Sequence, residues 1–373
     1  MDSLVKDLGA MKLYDTYIDV EIGANNKRFY YIWLRDNCRC EKCYSTFFNQ
    51  ILNFIFEVPL TIKPINCEII NDKLNIEWDD GHRSEYALNW LDGFEFEYKT
   101  KMEMHLWDQN IEKKIDDIIV PVDVYYKDVD GVKALAGNIL KYGFGIVSGV
   151  ELSAEATEEV VKRFASVKKT CFGEMWHVRS DSDYNDTSST QVGLLAHNDN
   201  TYFSSQSGLQ VFHLIHHNGK GGSTVLVDGF NIANIIKNKN QEAFETLCTV
   251  PVPAHFIDKN HHFVCTEPMI QLHPVTKEFY KIRFNIYDRS PLTSVKNEAI
   301  YKFYEALIMF GKLVNDRKNE YAFKLQPGQV IFIDNWRILH GRTAYTGTRD
   351  IAGCYISRDD FMSSAKRLYP ELQ

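Results

Sequence analysis

The sequence predicts a mainly β protein with supporting helices, a jelly-roll core preceded by a small N-terminal β domain. Three observations carry this. Short β-like runs recur along most of the 373 residues, the few strong helical stripes flank them, and three cysteines, Cys38, Cys40 and Cys43, crowd into one N-terminal stretch. By length alone the chain is two domains or one large β domain. A composition of 45% hydrophobic and 25% charged residues is that of a folded chain. No apolar run reaches the ~20 residues that span a bilayer; the longest, 51–62, is broken by Asn53, Glu57 and Pro59. The net charge of −8 argues against a generic grip on nucleic-acid phosphates. Residues 1–12 carry Asp2 and Asp7 and lack both a secretory apolar core and an Arg-rich transit pattern. We therefore expect a soluble, cytoplasmic protein with no membrane and no nucleic-acid partner.

In the first third, Ile18, Val20 and Ile22 alternate with polar residues, and 23–26 supplies a turn before a further strand at 29–34. Leu74, Ile76 and Trp78 alternate again, and Asp79-Asp80-Gly81 is a hairpin turn. The charged stretch 112–117 and Pro121 mark a boundary, giving domains at 1–110 and 120–373. Next come a helix at 128–140, a buried strand at 142–147, and a helix capped by Ser153 with Ala156, Val160, Phe164 and Val167 on one face. Strands follow at 209–214, 224–227 and 278–284, then a helix at 296–313 with Ile300, Phe303, Leu307 and Phe310 in a stripe. Pro327-Gly328 turns the chain into a strand at 330–333, and 353–357 closes the domain.

Cys38-x-Cys40-x-x-Cys43, with His82 beside the predicted hairpin turn, offers three thiolates and an imidazole, a closed tetrahedral set suited to structural Zn²⁺. Such a site would staple a domain too small to rely on its core. The alternative is three free thiols and an exposed turn histidine. A DNA-binding finger is the weaker reading, because Arg and Lys are not gathered there.

The chemistry is expected elsewhere. His197-Asn198-Asp199 is an H-x-D element, and His340 lies downstream in 333–342, IDNWRILHGR. Two imidazoles and one carboxylate make the facial triad of non-haem Fe(II) oxygenases, which leaves positions for a chelating 2-oxo acid and O₂. Thr224, after Gly221-Gly222-Ser223, and Arg349, nine residues past His340, can take the far carboxylate of 2-oxoglutarate through a hydroxyl and a bidentate guanidinium.

The segments WLRDNC at 33–38, H-x-D at 197–199, GGSTVLVDGF at 221–230, IDNWRILHGR at 333–342 and GCYISRDD at 353–360 resemble the γ-butyrobetaine/trimethyllysine dioxygenases, of the taurine-dioxygenase-like Fe(II)/2-oxoglutarate oxygenases. The resemblance spans nearly the whole chain. It implies a double-stranded β-helix core, iron on His197, Asp199 and His340, 2-oxoglutarate on Arg349, and O₂ as oxidant. It also implies ascorbate to keep iron reduced, a homodimer, and a mitochondrial matrix location as the alternative to the cytoplasm.

Both substrates of that family end in a trimethylammonium group, which donates no hydrogen bond and is recognised by aromatic faces. The family pattern places cage residues at Phe172, Trp176 and Tyr355. Where the family usually has a tyrosine, eight residues before the first iron ligand, this chain has Ser189, and Phe172 stands where tyrosine is common. Either the cage is thinner here, or Tyr184 or Tyr202 fills it. Asp186 matches an acidic position of the trimethyllysine branch; it would attract that substrate's α-ammonium and repel the lone carboxylate of γ-butyrobetaine. Read on its own, Asp186 is equally a turn residue. Asn285 matches a position that holds the substrate carboxylate. The resemblance thus implies hydroxylation of trimethyllysine, a small quaternary-ammonium amino acid, with γ-butyrobetaine hydroxylation or non-catalytic trimethyllysine binding as the rivals.

Overall fold

Strands in the N-terminal third follow the alternation of their apolar residues. The computed structural model describes residues 4–94, 104–179 and 190–372, and Tyr17–Ile22 lies in a four-stranded antiparallel meander of Leu4–Asp7, Met11–Tyr14, Tyr17–Ile22 and Asn25–Tyr30. Ile18, Val20 and Phe29 pack there with Leu74, Ile76 and Trp78 of the hairpin Lys73–Trp78/Arg83–Ala87. Asp19 is buried as well, because Arg28 clamps its carboxylate from the neighbouring strand at 2.8 and 3.1 Å. The strand expected at 29–34 ends at Tyr30. Tyr31–Asp36 is a helix, since Tyr31, Leu34 and Arg35 share its buried face at helical spacing.

Chain contacts separate Met1–Tyr98 from Lys99–Gln373. The interval 110–120, expected as a boundary, lies inside the second unit. Trp107, Ile111 and Ile118 join the core formed by Phe144, Ile331 and Ile351, and the charges of 112–117 ride on short helical turns above it.

The second unit is a sandwich of two sheets, the jelly-roll arrangement of alternating inward and outward residues. The larger sheet has the order Ile119–Pro121, Phe144–Ser148, Val330–Asp334, Leu209–His217, Arg349–Ile356, Met175–Arg179; the smaller runs Leu194–His197, Ile338–Arg342, Thr224–Asp228, Glu320–Phe323. Inward residues of both, among them Ile146, Leu214, Ile351, Leu226 and Ile338, share one core. Outward residues Val211, Phe332 and Cys354 of the larger sheet receive the helices Val129–Tyr142, Ala154–Phe164 and Arg358–Leu368. Behind the smaller sheet, Val227 and Leu339 receive Gly229–Lys239, Gln241–Thr249 and Glu298–Val314, the last burying Phe303 and Phe310. Ser153 caps its helix as expected, accepting from Ala156 N at 3.0 Å.

One ion pair ties these layers together. Arg337, in the turn between Val330–Asp334 and Ile338–Arg342, donates to Asp228 at 3.1 Å and 2.7 Å, and both side chains are almost fully buried. Asp228 also caps Gly229–Lys239 and accepts from Trp107 N, while Arg337 donates to the carbonyls of Lys141 and His105. A buried charge left alone costs about 3–5 kcal/mol. Arg337→Met is therefore expected to lower the stability of the second unit by that order, read as a shifted urea midpoint. An unmoved midpoint would mean that the pair does not hold the layers.

Candidate metal centre and active site

The smaller sheet builds the metal-ligand set. In the antiparallel pairing of Leu194–His197 with Ile338–Arg342, His197 stands directly opposite His340, and a register shift between Leu194 and His197 turns the end of the first strand towards the interior. Gly341 permits the close approach: a Cβ there would lie 2.5 Å from the Leu194 carbonyl. The two imidazoles sit 4.8 Å apart, and Asp199 Oδ1 lies 3.4 Å from His197 Nε2 and 3.6 Å from His340 Nε2. All three ligand atoms are within reach of one ion.

Several contacts hold these atoms in place. His197 Nδ1–H donates to the Leu195 carbonyl at 2.7 Å, which leaves Nε2 with its lone pair for a metal. Tyr355 O–H donates to Asp199 Oδ2 at 2.9 Å. Asn198, fully buried between the ligands, donates to the carbonyls of Asn335 and Ile338 and accepts from Phe284 N. Asn335 accepts from Asp199 N at 2.8 Å and donates to the carbonyls of Asp199 and Ser207. Burial pushes Asp199 up, but His340, His197 and the Tyr355 hydroxyl outweigh it and hold its carboxyl at about 2. Burial pushes His340 down to about 4, so that imidazole is neutral at pH 7. The donor set thus suits a divalent cation, and its two histidines and one carboxylate are the Fe(II) combination.

Strand periodicity decides what else faces this set. On Ile338–Arg342, Ile338 points into the sandwich core, so His340 and Arg342 do too; Leu226 likewise brings Thr224 inward, opposite Arg342. On Arg349–Ile356, Ile351 points inward, and with it Arg349, Gly353 and Tyr355. Arg349 is buried and paired with no carboxylate among the described residues; its guanidinium lies 5.6 Å from the Tyr345 ring. Burial and the neighbouring Arg342 push it down to about 10, still protonated at pH 7. A buried, uncompensated guanidinium on an inward strand face has the charge and donors to receive an anion. The buried Thr224 hydroxyl also has no protein hydrogen-bond partner among the described residues, and the Arg349 stem passes Gly222, whose Cβ, were there one, would meet its Cδ at 3.7 Å.

Trp176 lies across from Gly353, its ring 5.8 Å from Tyr355 and 5.7 Å from Phe212, which packs 5.3 Å from His340. Gly353 makes room for it: an added Cβ would come within 2.2 Å of the indole. Phe172 belongs to a neighbouring cluster, 5.4 Å from Phe256, on which Tyr202 stacks at 5.1 Å. Asn200 donates to the Tyr202 hydroxyl at 3.4 Å and also lies beside that of Tyr355, so the two clusters meet there. Asn285 donates to the Asn198 carbonyl and to Asp288 Oδ2, and its oxygen accepts from Tyr287 N. Both of its N–H groups are thereby engaged, and a substrate carboxylate would have to displace one. Asp186, Tyr184 and Ser189 lie outside the described residues.

Asn198, Asn335 and Phe212 were not singled out from the sequence. For the asparagines a signal existed: each is a poor strand former beside a ligand or in the strand-linking turn, which marks it as bound to backbone.

In the first unit Cys38, Cys40, Cys43 and His82 converge. The three sulfurs lie 3.3, 3.6 and 3.6 Å from His82 Nε2. A tetrahedron with Zn–S of ~2.3 Å and Zn–N of ~2.0–2.1 Å has S···N edges of about 3.5 Å. Burial pushes the thiols of Cys38 and Cys43 up, Cys43 to about 12, so a bound dication is what would ionise them. Arg35 donates to Asp80 at 2.9 Å and reaches Cys43 Sγ at 3.7 Å, while Asp80 accepts from His82 N, fixing the histidine loop.

Comparison with known proteins agrees with this geometry. Residues 111–355 match the taurine catabolism dioxygenase TauD, TfdA family, and 17–92 match the γ-butyrobetaine hydroxylase-like N-terminal family. The human mitochondrial trimethyllysine dioxygenase is 35% identical over 96% of this chain and 87% of its own length. That of the yeast Meyerozyma guilliermondii is 34% identical over 91% and 90%. A γ-butyrobetaine dioxygenase from Pseudomonas is 28% identical over 90% and 89%. Among solved structures, a taurine dioxygenase from Burkholderia xenovorans shares the fold with a TM-score of 0.52 at 14% identity, over 65% of this chain and 88% of that one.

The close packing of Trp176 over Gly353 yields a direct test. Gly353→Val is expected to expel the Trp176 indole from the site. Tryptophan fluorescence should shift, and affinity for a trimethylammonium ligand should fall about tenfold, the scale of one cation–π contact. Unchanged affinity would remove Trp176 from the ligand wall.

Proposed function

Since this chain belongs to the trimethyllysine dioxygenase family, built on the TauD/TfdA dioxygenase core, we propose that it hydroxylates N6,N6,N6-trimethyl-lysine at the β-carbon. The products are 3-hydroxy-trimethyllysine, succinate and CO₂, and the reaction is the first step of carnitine biosynthesis. The observation that carries this reading is the buried Arg349, unmatched by any described carboxylate and facing the same interior as His197, Asp199 and His340.

His197, Asp199 and His340 would hold Fe(II), which when bound couples the oxidative decarboxylation of 2-oxoglutarate to activation of O₂. Arg349 binds the distal carboxylate of the co-substrate, and Thr224 adds a hydrogen bond. Both side chains lie on inward strand faces of the sandwich, as His340 does, and a cation there favours a co-substrate with a second carboxylate over a monocarboxylate. Trp176 and Tyr355 offer aromatic faces to the trimethylammonium group, with Phe172 and Tyr202 in the adjoining cluster. Asp186 would take the α-ammonium, and Asn285 the carboxylate after exchanging one of its present bonds. Fixing both ends of a flexible substrate leaves one C–H nearest the metal, so positioning selects the carbon that reacts.

The Cys38, Cys40, Cys43 and His82 set belongs to the same reading as a structural Zn²⁺ site, as do ascorbate as the reductant of iron and a homodimeric assembly. No helix of the described residues is long and apolar enough to cross a membrane. Animal relatives are named mitochondrial, which favours the matrix over the cytoplasm expected from the acidic start.

Incubation with Fe(II), 2-oxoglutarate and each candidate should give succinate and hydroxylated product from trimethyllysine; product from γ-butyrobetaine alone would overturn the assignment. Asp186→Asn should weaken trimethyllysine use by about tenfold or more, as loss of one charge-assisted contact does, while sparing γ-butyrobetaine. Equal effects would sink the selector role. Metal analysis should find one zinc per chain, and a strong chelator should lower the melting temperature of the N-terminal unit.

A further inference from the structure

We propose that the Tyr355 hydroxyl is a positioning group for the metal, holding Asp199 as a one-oxygen ligand, in addition to the aromatic face its ring offers. The inference rests on the iron reading above. The two oxygens of Asp199 are divided between two tasks. Oδ1 faces both imidazoles, 3.4 Å from His197 Nε2 and 3.6 Å from His340 Nε2, whereas Oδ2 accepts the Tyr355 O–H at 2.9 Å. A carboxylate so divided presents one oxygen to an ion. Free to rotate, it could chelate with both, as carboxylates do on larger cations, and occupy a position that the co-substrate or O₂ requires.

The other supports of Asp199 grip its backbone. Asn335 accepts from its N–H, and Asn335 and Gln206 both donate to its carbonyl. They fix the Cα and leave the rotation of the carboxylate to Tyr355. The tyrosine is well placed for this, being 7% exposed on Arg349–Ile356, a strand paired on both edges, with its ring against Trp176. His340 has no comparable support, since its Nδ1 is buried without a hydrogen-bond partner among the described residues. Ring and hydroxyl are one rigid side chain. A cation seated on the Trp176–Tyr355 wall is therefore held in register with the carboxylate that carries the metal.

Tyr355→Phe tests this, because it keeps the ring and removes only the O–H. The dissociation constant for Mn(II), measured by titration of the metal-free protein without turnover, should rise about 10–100-fold, the usual effect of losing an outer partner of a ligand. The KM for trimethyllysine should change by less than about threefold while kcat falls, and more 2-oxoglutarate should be consumed than product formed. Trp176→Phe should do the reverse, raising KM and leaving Mn(II) affinity unchanged. Melting of the metal-free variants controls for folding. A Tyr355→Phe protein that binds Mn(II) as tightly as the unsubstituted chain, or that alters KM alone, would overturn the proposal. An unsubstituted chain that binds neither Mn(II) nor Fe(II) would instead overturn the iron reading.

Discussion

The pairing of His197 with His340 across two antiparallel strands is the constraint on which the rest of the structure depends. These residues are far apart in the chain, and only a closed sandwich brings them face to face. Once they are opposite, period-2 geometry orients the neighbours: Arg342 on one strand, and through the next strand Leu226 and Thr224. The turn that feeds Ile338–Arg342 is fixed with equal care. Asp334 accepts two bonds from Arg358, Asn335 cradles Asp199, and Arg337 reaches Asp228. The three-residue turn 335–337 and the aspartate before it thereby register the two sheets, the first helix behind the smaller sheet, and the metal-ligand loop against each other.

Electrostatics separate the structural charges from those kept for ligands. Arg337 is buried with its carboxylate partner and two carbonyl acceptors, so its desolvation is offset within the protein. Arg349 is buried too, less deeply and without such a partner among the described residues, and the protein bears the cost of desolvating it. An anion entering the site recovers that cost, which is a physical reason for the site to accept a dicarboxylate. Asp199 shows the same economy: its local partners keep it ionised despite burial, so a cation meets a ready ligand.

Much of the fold was legible because burial writes itself as periodicity. Phe303 and Phe310, Leu74 and Trp78 stand where their patterns place them, and the strand expected at 330–333 forms as Val330–Asp334. The segment after Tyr30 was not, since Phe29–Leu34 is continuously apolar and a short run of that kind fits a buried strand or one turn of helix equally well. Charge density at 112–117 likewise mimics a linker; it does not reveal that Trp107 and Ile111 dock on the sandwich.

By itself the sequence determined the chemistry: two histidines and a carboxylate for a divalent ion, an arginine for an anion, three cysteines and a histidine as a second, closed set. Those are properties of residue type and spacing, and they survive without coordinates. Tertiary structure decided which side chains meet around those sets. It put Tyr355 on Asp199 as well as beside Trp176, set Phe172 in the adjoining cluster, and engaged Asn285 in a turn. The physical reason is that a side chain's role follows from what lies within a few ångströms of it. That neighbourhood comes from strand register and sheet closure, which join residues that no local pattern connects.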